Sequence, residues 1–456
     1  MDAEEKRNPP QDAPAAPSPD ADWAALPGER PPAPFPRTGW DRGFALLFYV
    51  LGYGYADKLL GCSQRWYITA FTVCYAAAVL AYFLCKGIRP RPASWFWLAV
   101  LLSVGVSFSL YENAGLLDFD LLVLHGTAMY WPLCASGSTL RDGTSPLLPA
   151  DLLNSFLLVP FGNFFSQFRC LFGGWKLRRT GAGKRLGAIL LGVGILAVLL
   201  LLVVPLLMRA DQQFSDLLSV VRGWFRFDWN VDLFPLILAL PTGMYLFGLS
   251  YGCANRRHTA HIRTERLAEL SRRCRVIPTI TIRIALAGVC AVYILFIAVQ
   301  AQHLFSAFAG RLTGTDVYSE FAREGFFELC RVAAINGCIL LGADLLASTE
   351  RMQNRTLRIY NVVMSALTLL ILASAARKML LYIQAYGLTP KRVLTMAFMA
   401  MLAVLFGGIA VSQFRRFPLI RLAVCFSAVL FCALALCNLD ALIAAFNAAR
   451  GLAAAA

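Results

Sequence analysis

The chain has 456 residues, 58% of them hydrophobic and 15% charged, with a mean hydropathy of +0.60. That balance excludes an ordinary soluble globular protein and makes the lipid bilayer the chain's solvent. The formal net charge of +15 does not indicate nucleic acid, because Lys and Arg concentrate in short segments between apolar runs, a distribution that reads as membrane topology.

The first forty residues hold ten of the 22 prolines, interleaved with Ala, Asp and Glu. Such a stretch cannot gather a core, so residues 1–40 are predicted to be a disordered cytoplasmic tail. It opens MDAEEKRNPP, with no basic region leading into a short apolar stretch. The first membrane helix, rather than a cleavable signal, is therefore expected to direct insertion.

Residues 41–450 are predicted to be all-α, a polytopic transmembrane helical bundle. Backbone amides in hydrocarbon need internal partners, so each long apolar run is assigned a helix. Eleven candidate spans follow: residues 43–60, 66–85, 94–111, 116–134, 186–208, 232–252, 278–300, 326–346, 359–376, 393–413 and 418–437. The plainest is 186–208, charge-free, with sixteen residues that are Leu, Ile or Val. At about −0.3 to −0.6 kcal/mol each they favour insertion by roughly 5–10 kcal/mol. Between the fourth and fifth spans, residues 150–172 are apolar and aromatic but interrupted by Pro160 and Gly162, which suits an interfacial or re-entrant element. The basic stretch that follows, GGWKLRRTGAGKRLG, is expected to meet lipid headgroups.

Orientation follows from the basic residues, which are retained on the cytoplasmic side. Placing the amino terminus inside puts most loop Lys and Arg inside, led by residues 253–277 with seven Arg against two Glu. Arg256, Arg257, Arg272 and Arg273 of this connector are expected to contact anionic lipid headgroups. Arg377, Lys378, Lys391 and Arg392 are the exception, falling in a loop expected outside.

Chemistry-bearing constellations are few. Gly181, Gly183 and Lys184 imitate a phosphate loop, but Arg178 and Arg185 stand where that motif needs Gly and Ser or Thr. His258 and His261 share a loop without a third ligand, and thirteen Cys include no CxxC pair, so neither a metal nor a disulfide framework is expected. Zincin and nucleophile-elbow signatures are missing, which lowers the expectation of an enzyme. No cofactor is expected. On the fourth span, Asp118 and His125 fall about 20° apart on a helix with Asp120 opposite; this is a possible shared proton site or, more simply, a pair of acids at the hydrated interface.

Glu320, Glu324, Glu328 and Arg331 form one charged stripe if the eighth helix starts early, and Asn336 and Asp344 extend the polarity along it. Glu328, Arg331, Asn336 and Asp344 are thus the leading candidates for a polar intramembrane site, against the plainer reading of a helix-to-helix lock. Gly248 and Gly252 form a GxxxG packing motif. Lys378, Tyr382 and Tyr386 read as interface anchors, and GLTP at 387–390 as a helix stop and restart.

Four segments together carry a family resemblance: LLMRADQQFSDLL at 206–218, YSEFAREGFFELCRVAAIN at 318–336, LLYIQAYGLTPKRV at 380–393 and NLDALIAAFN at 438–447. Their combination resembles a bacterial family of multi-pass membrane proteins defined as a domain of unknown function (DUF4153/DUF4173-like), over residues 186–447. The resemblance implies a bacterial inner-membrane protein of similar helical architecture and supplies no catalytic residues. Three functional classes remain open: a non-enzymatic envelope scaffold or regulator with a membrane-protein partner, a transporter using the Glu328 stripe, and an intramembrane transferase on lipid-linked substrates using Asp118, Asp120 and His125.

Overall fold

The computed structural model describes residues 35–172, 192, 233–308, 331–346 and 355–451, apart from 60–63, 112–113, 142, 260–261, 263, 344–345 and 416. The chain divides into two units, Met1–Thr38 and Gly39–Ala456. In the first, residues 35–38 are described and belong to no helix or strand.

Every regular element described in the second unit is helical. Its first half comprises α1 (Gly39–Gly54), a π turn (Tyr55–Leu59), α2 (Trp66–Cys85), α3 (Pro92–Leu110), a 3-10 turn (Ala114–Leu116) and α4 (Leu117–Ala135). A broken segment follows: α5 (Leu148–Leu153), a π turn (Asn154–Leu158), α6 (Val159–Gly162) and α7 (Ser166–Phe172). Next come α8 (Leu233–Ala254), the polar α9 (Thr264–Cys274), α10 (Thr279–Phe308) and the short α11 (Arg331–Ala343). The chain closes with α12 (Arg355–Tyr386), α13 (Pro390–Ser412), α14 (Leu419–Leu436) and α15 (Leu439–Ala449). Proline at the first turn starts α3 and α13, where its missing N–H costs no hydrogen bond.

Seven of these helices are long and apolar enough to cross a membrane: α2, α3, α8, α10, α12, α13 and α14. Those seven fall on the second, third, sixth, seventh, ninth, tenth and eleventh expected spans; the first, fourth and eighth fall on α1, α4 and α11, which are shorter or less apolar, and residues 186–208 apart from 192 lie outside the described residues, as does the basic stretch before them. One boundary difference bears on the charges. The ninth span, expected to stop at residue 376 before a loop carrying Arg377 and Lys378, continues as a single helix to Tyr386. Its 32 residues reach about 48 Å at 1.5 Å per residue, longer than a roughly 30 Å hydrocarbon core. The helix thus carries these charges near its end, with Lys378 only 8% exposed.

Contacts at helix ends define the architecture. Lys86, at the end of α2, pairs with Asp41 at the start of α1 (Nζ to Oδ1 2.8 Å) and donates to Asn255, just past α8, at 3.5 Å. The N–H of Arg91, before α3, donates to the Ala135 carbonyl that ends α4 (3.3 Å), and Arg421 of α14 donates to the carbonyl of Thr144 (3.1 Å). Arg358 near the start of α12 reaches the Gln413 carbonyl after α13 (3.5 Å). The Ile277 N–H before α10 meets the Leu346 carbonyl after α11 (3.1 Å). One face of the bundle therefore gathers the starts of α1, α3, α10, α12 and α14 with the ends of α2, α4, α8, α11 and α13. We call it the first face; the α12–α13 turn lies on the second.

Two cores result. Around α8, a stripe on α1 (Asp41, Ala45, Phe48, Gly52) is buried, and Phe48, Tyr75, Tyr82 and Phe247 pack ring against ring with centroids 5.9–6.5 Å apart. In the other half, Met364, Leu372, Ala375 and Met379 of α12 meet Leu340, Met399, Leu402 and Phe406. Without a hydrophobic force between helices in lipid, close backbone approach carries the association, and small residues allow it. A Cβ on Gly243 would lie 2.8 Å from the Phe48 carbonyl oxygen, and one on Gly248 would lie 2.8 Å from that of Pro160.

Substituting Gly243→Leu should therefore push α1 off α8 and cost about 2 kcal/mol or more. We expect a lower thermal unfolding midpoint in detergent, while Gly288→Leu, whose Cβ meets nothing within 4 Å, leaves the midpoint unchanged.

Candidate functional site

Asn336, from the leading candidate set, is fully buried and bridges three helices. Its Oδ1 accepts from the Tyr293 hydroxyl of α10 (2.5 Å), and its Nδ2 donates to Thr368 Oγ1 of α12 (2.8 Å). The Thr368 hydroxyl in turn donates to the Met364 carbonyl at 2.7 Å. Both ends of the amide are engaged in tying helices together. Arg331 stands exposed at the start of α11. Glu320, Glu324, Glu328 and Asp344 lie outside the described residues.

On α4, Asp118 is exposed and Asp120 is buried. His125 turns to α1's π turn instead. Its Nδ1 lies 2.7 Å from the Leu121 carbonyl oxygen, an acceptor only, so that nitrogen carries the proton. Nε2 is then the acceptor for the Tyr55 hydroxyl at 3.0 Å. On the basic connector, Arg256, Arg272 and Arg273 are exposed, Arg257 is half-buried, and Arg273 pairs with Glu269 one helical turn away. His258 packs over Gly162, and His261 lies outside the described residues.

The most unusual polar arrangement lies on the broken segment. Pro160 cannot donate to the Phe156 carbonyl one turn earlier, which would leave that oxygen orphaned in an apolar setting. The Tyr245 hydroxyl of α8 donates to it instead, at 2.8 Å. Along the same segment Asp151, Asn154 and Ser155 are fully buried, and Asn163 and Gln167 are nearly so. Some of their atoms are used as ties: Asn163 Nδ2 donates to the Arg257 carbonyl (2.9 Å), and Gln167 Nε2 donates to the Ala45 carbonyl (2.7 Å). Asp151 Oδ1 accepts the Leu140 N–H at 2.9 Å, fastening the 136–147 loop over the segment.

Other atoms are left over. Asp151 Oδ2 and both amide atoms of Asn154 are buried without a hydrogen-bond partner among the described residues, as are Asn163 Oδ1 and Gln167 Oε1. Each such group, left without water or ion, would cost roughly 1–3 kcal/mol, which sets the seam apart from the surrounding packing. Burial pushes the Asp151 carboxyl up to about 6, against a smaller lowering by the Leu140 N–H. The neighbouring walls come from α4 and its loop: Tyr130 and Cys134 interact electrostatically with Asp151, and Trp97 packs edge-on to Tyr130 and donates to Thr144 Oγ1 at 3.0 Å. In the sequence the break shows at Pro160 and Gly162, whereas these polar residues do not stand out. The available signal was a D-L-L-N spacing, polar at i and i+3, inside an otherwise apolar run.

On the second face the segments 380–393 and 438–447 meet. Gly387 ends α12 at φ 79°, a left-handed conformation that a side chain rarely adopts. The Asn447 side chain of α15 accepts from the Leu388 N–H (2.7 Å) and donates to its carbonyl (3.1 Å). Arg392 donates to the carbonyls of Tyr386 and Gly387 and lies 4.3 Å over the Tyr382 ring. These motif residues form a clasp on the α12–α13 turn, and Asn438 caps α15 by accepting from the Ala441 N–H.

A family model described as a domain of unknown function (DUF4153) matches residues 98–455, most of the chain and all of the broken segment. No curated protein and no solved structure matches it.

Asn336→Leu should leave the Tyr293 hydroxyl without its partner and lower the unfolding midpoint in detergent, at a cost of about 1–2 kcal/mol. Asn336→Gln, which keeps the chemistry but not the reach, is expected to fall between the two.

Proposed function

We propose a structural or regulatory role in a bacterial envelope for this chain, which belongs to the DUF4153 family. Its setting would be the cytoplasmic membrane, with the amino terminus inside. The observation that carries the role is how intramembrane polarity is spent. Asn336 ties α10, α11 and α12, His125 ties α4 to Tyr55, and Asp41 ties α1 to Lys86 and Tyr82 of α2. Polar groups used as struts make a fixed body against which other membrane proteins can dock, and they supply no acid, base or nucleophile for turnover.

Charge supports the orientation. Arg89, Arg141, Arg256, Arg272 and Arg273 accompany the first face, while Asp57, Asp118 and Asp440 lie at the second beside Arg65, Lys391 and Arg392, and basic segments stay cytoplasmic. α9 suits the surface of that leaflet. Leu267, Leu270 and Cys274 share one helical stripe, and the arginines near it match anionic headgroups. Transport is a second reading, supported by the unpartnered polar seam on a discontinuous helix, the arrangement on which transporters build binding sites.

Two measurements test these statements. Capture from mild detergent should bring down one or more membrane-protein partners in fixed proportion; recovery of the chain alone, turning over a substrate, overturns the role. For orientation, single-cysteine versions retaining Cys274 or Cys437, both exposed, should be distinguished in intact cells by a membrane-impermeant maleimide. We expect Cys437 to react and Cys274 to be protected; the reverse pattern inverts the bundle.

A further inference from the structure

The seam has a composition that selects a ligand, and this goes beyond the structural role above. We propose that Asp151 and Asn154, under the end of α4, are the side-chain ligands of a single monovalent alkali cation. Both residues are fully buried, and their i,i+3 spacing sets them side by side on one face. Asp151 Oδ1 is committed to the Leu140 N–H, so Oδ2 is the oxygen left to bind, and Asn154 offers a second through Oδ1.

Charge and donor type narrow the occupant. The carboxylate excludes an anion. One carboxylate with neutral oxygens balances one positive charge, whereas divalent cations draw on several carboxylates or strict octahedral shells. Transition-metal sites draw on three or more His, Cys, Asp or Glu side chains, and no such group comes together among the described residues. The irregular backbone beside the pair, a π turn that begins at Asn154 itself, is the kind of interruption at which membrane proteins bind coupling ions. A buried lone carboxylate must be neutralised, and a proton is the competing occupant. Tyr130 and Cys134 of α4 are the titratable groups that interact with it.

The test is thermal unfolding of the purified full-length protein in detergent, titrated with NaCl, KCl or LiCl against choline chloride at equal ionic strength. At pH 8 we expect one or more of the alkali salts to raise the midpoint saturably by several degrees, and at pH 5 the shift should vanish because the proton holds Asp151. Asp151→Asn should abolish the shift, and Asn154→Leu should weaken the half-saturating concentration at least tenfold. Asp120→Asn, a buried carboxylate near the other face, should keep it. Equal midpoints in all four salts at pH 8 overturn the site, as does a shift that survives in Asp151→Asn. Should Asp151→Asn not accumulate, an unchanged titration in Asn154→Leu overturns it by itself. Neither result bears on partner capture, so this site and the structural role stand or fall separately.

Discussion

A peptide group inside hydrocarbon has no water to turn to, and three departures from regular helix here come with a substitute partner. Pro160 frees the Phe156 carbonyl, and the Tyr245 hydroxyl takes its place. The turn after Tyr386 exposes the Leu388 N–H and carbonyl, and the Asn447 amide satisfies both. The carbonyl of Arg257, in the connector after α8, receives Asn163 Nδ2. These long-range side-chain bonds act as repairs, beside the side-chain struts that tie one helix to another. They explain why residues distant in sequence, Asn447 and Leu388 or Tyr245 and Phe156, have to be present together.

Much of the helical plan was legible because its cause is local. A charge-free apolar run has one way to satisfy its backbone, and the Gly and Pro of GLTP mark a stop at Tyr386 and a restart at Pro390 where the structure has them. Where a cue was local but ambiguous, the reading slipped. Arg377 and Lys378 suggest the end of a span, yet a helix of 32 residues outruns the hydrocarbon and can carry charge in its last turns without breaking.

The interior polar contacts were harder, for a physical reason. Periodicity tells which residues share a face of one helix and says nothing of which helix that face will meet. Asp41 and Lys86 lie 45 residues apart, Asn336 and Tyr293 lie 43 apart, and in each pair one member alone resembles an ordinary interface residue. Asp118 and His125 share a helical face, yet the histidine is claimed by Tyr55, 70 positions earlier. Asp151 and Asn154 were detectable in principle, since their i,i+3 spacing is a local property, but the broken helix around them drew the attention to its proline and glycine.

The tight seat of α1 on α8 bears on how the chain is made. Tyr49 donates to the carbonyl of Leu236, 187 residues downstream; Gly52 lies against the backbone of Ala239 and Gly243, and Gly243 against that of Phe48 and Tyr49. At 5–20 residues per second that partner leaves the ribosome roughly 10–40 s after the first helix. During that interval the notched side of α1 faces lipid or an insertion chaperone, with the Asp41–Lys86 pair as its early fastening to α2. Final assembly of the amino-terminal half is therefore timed by the arrival of α8 rather than by the order in which the helices enter the membrane.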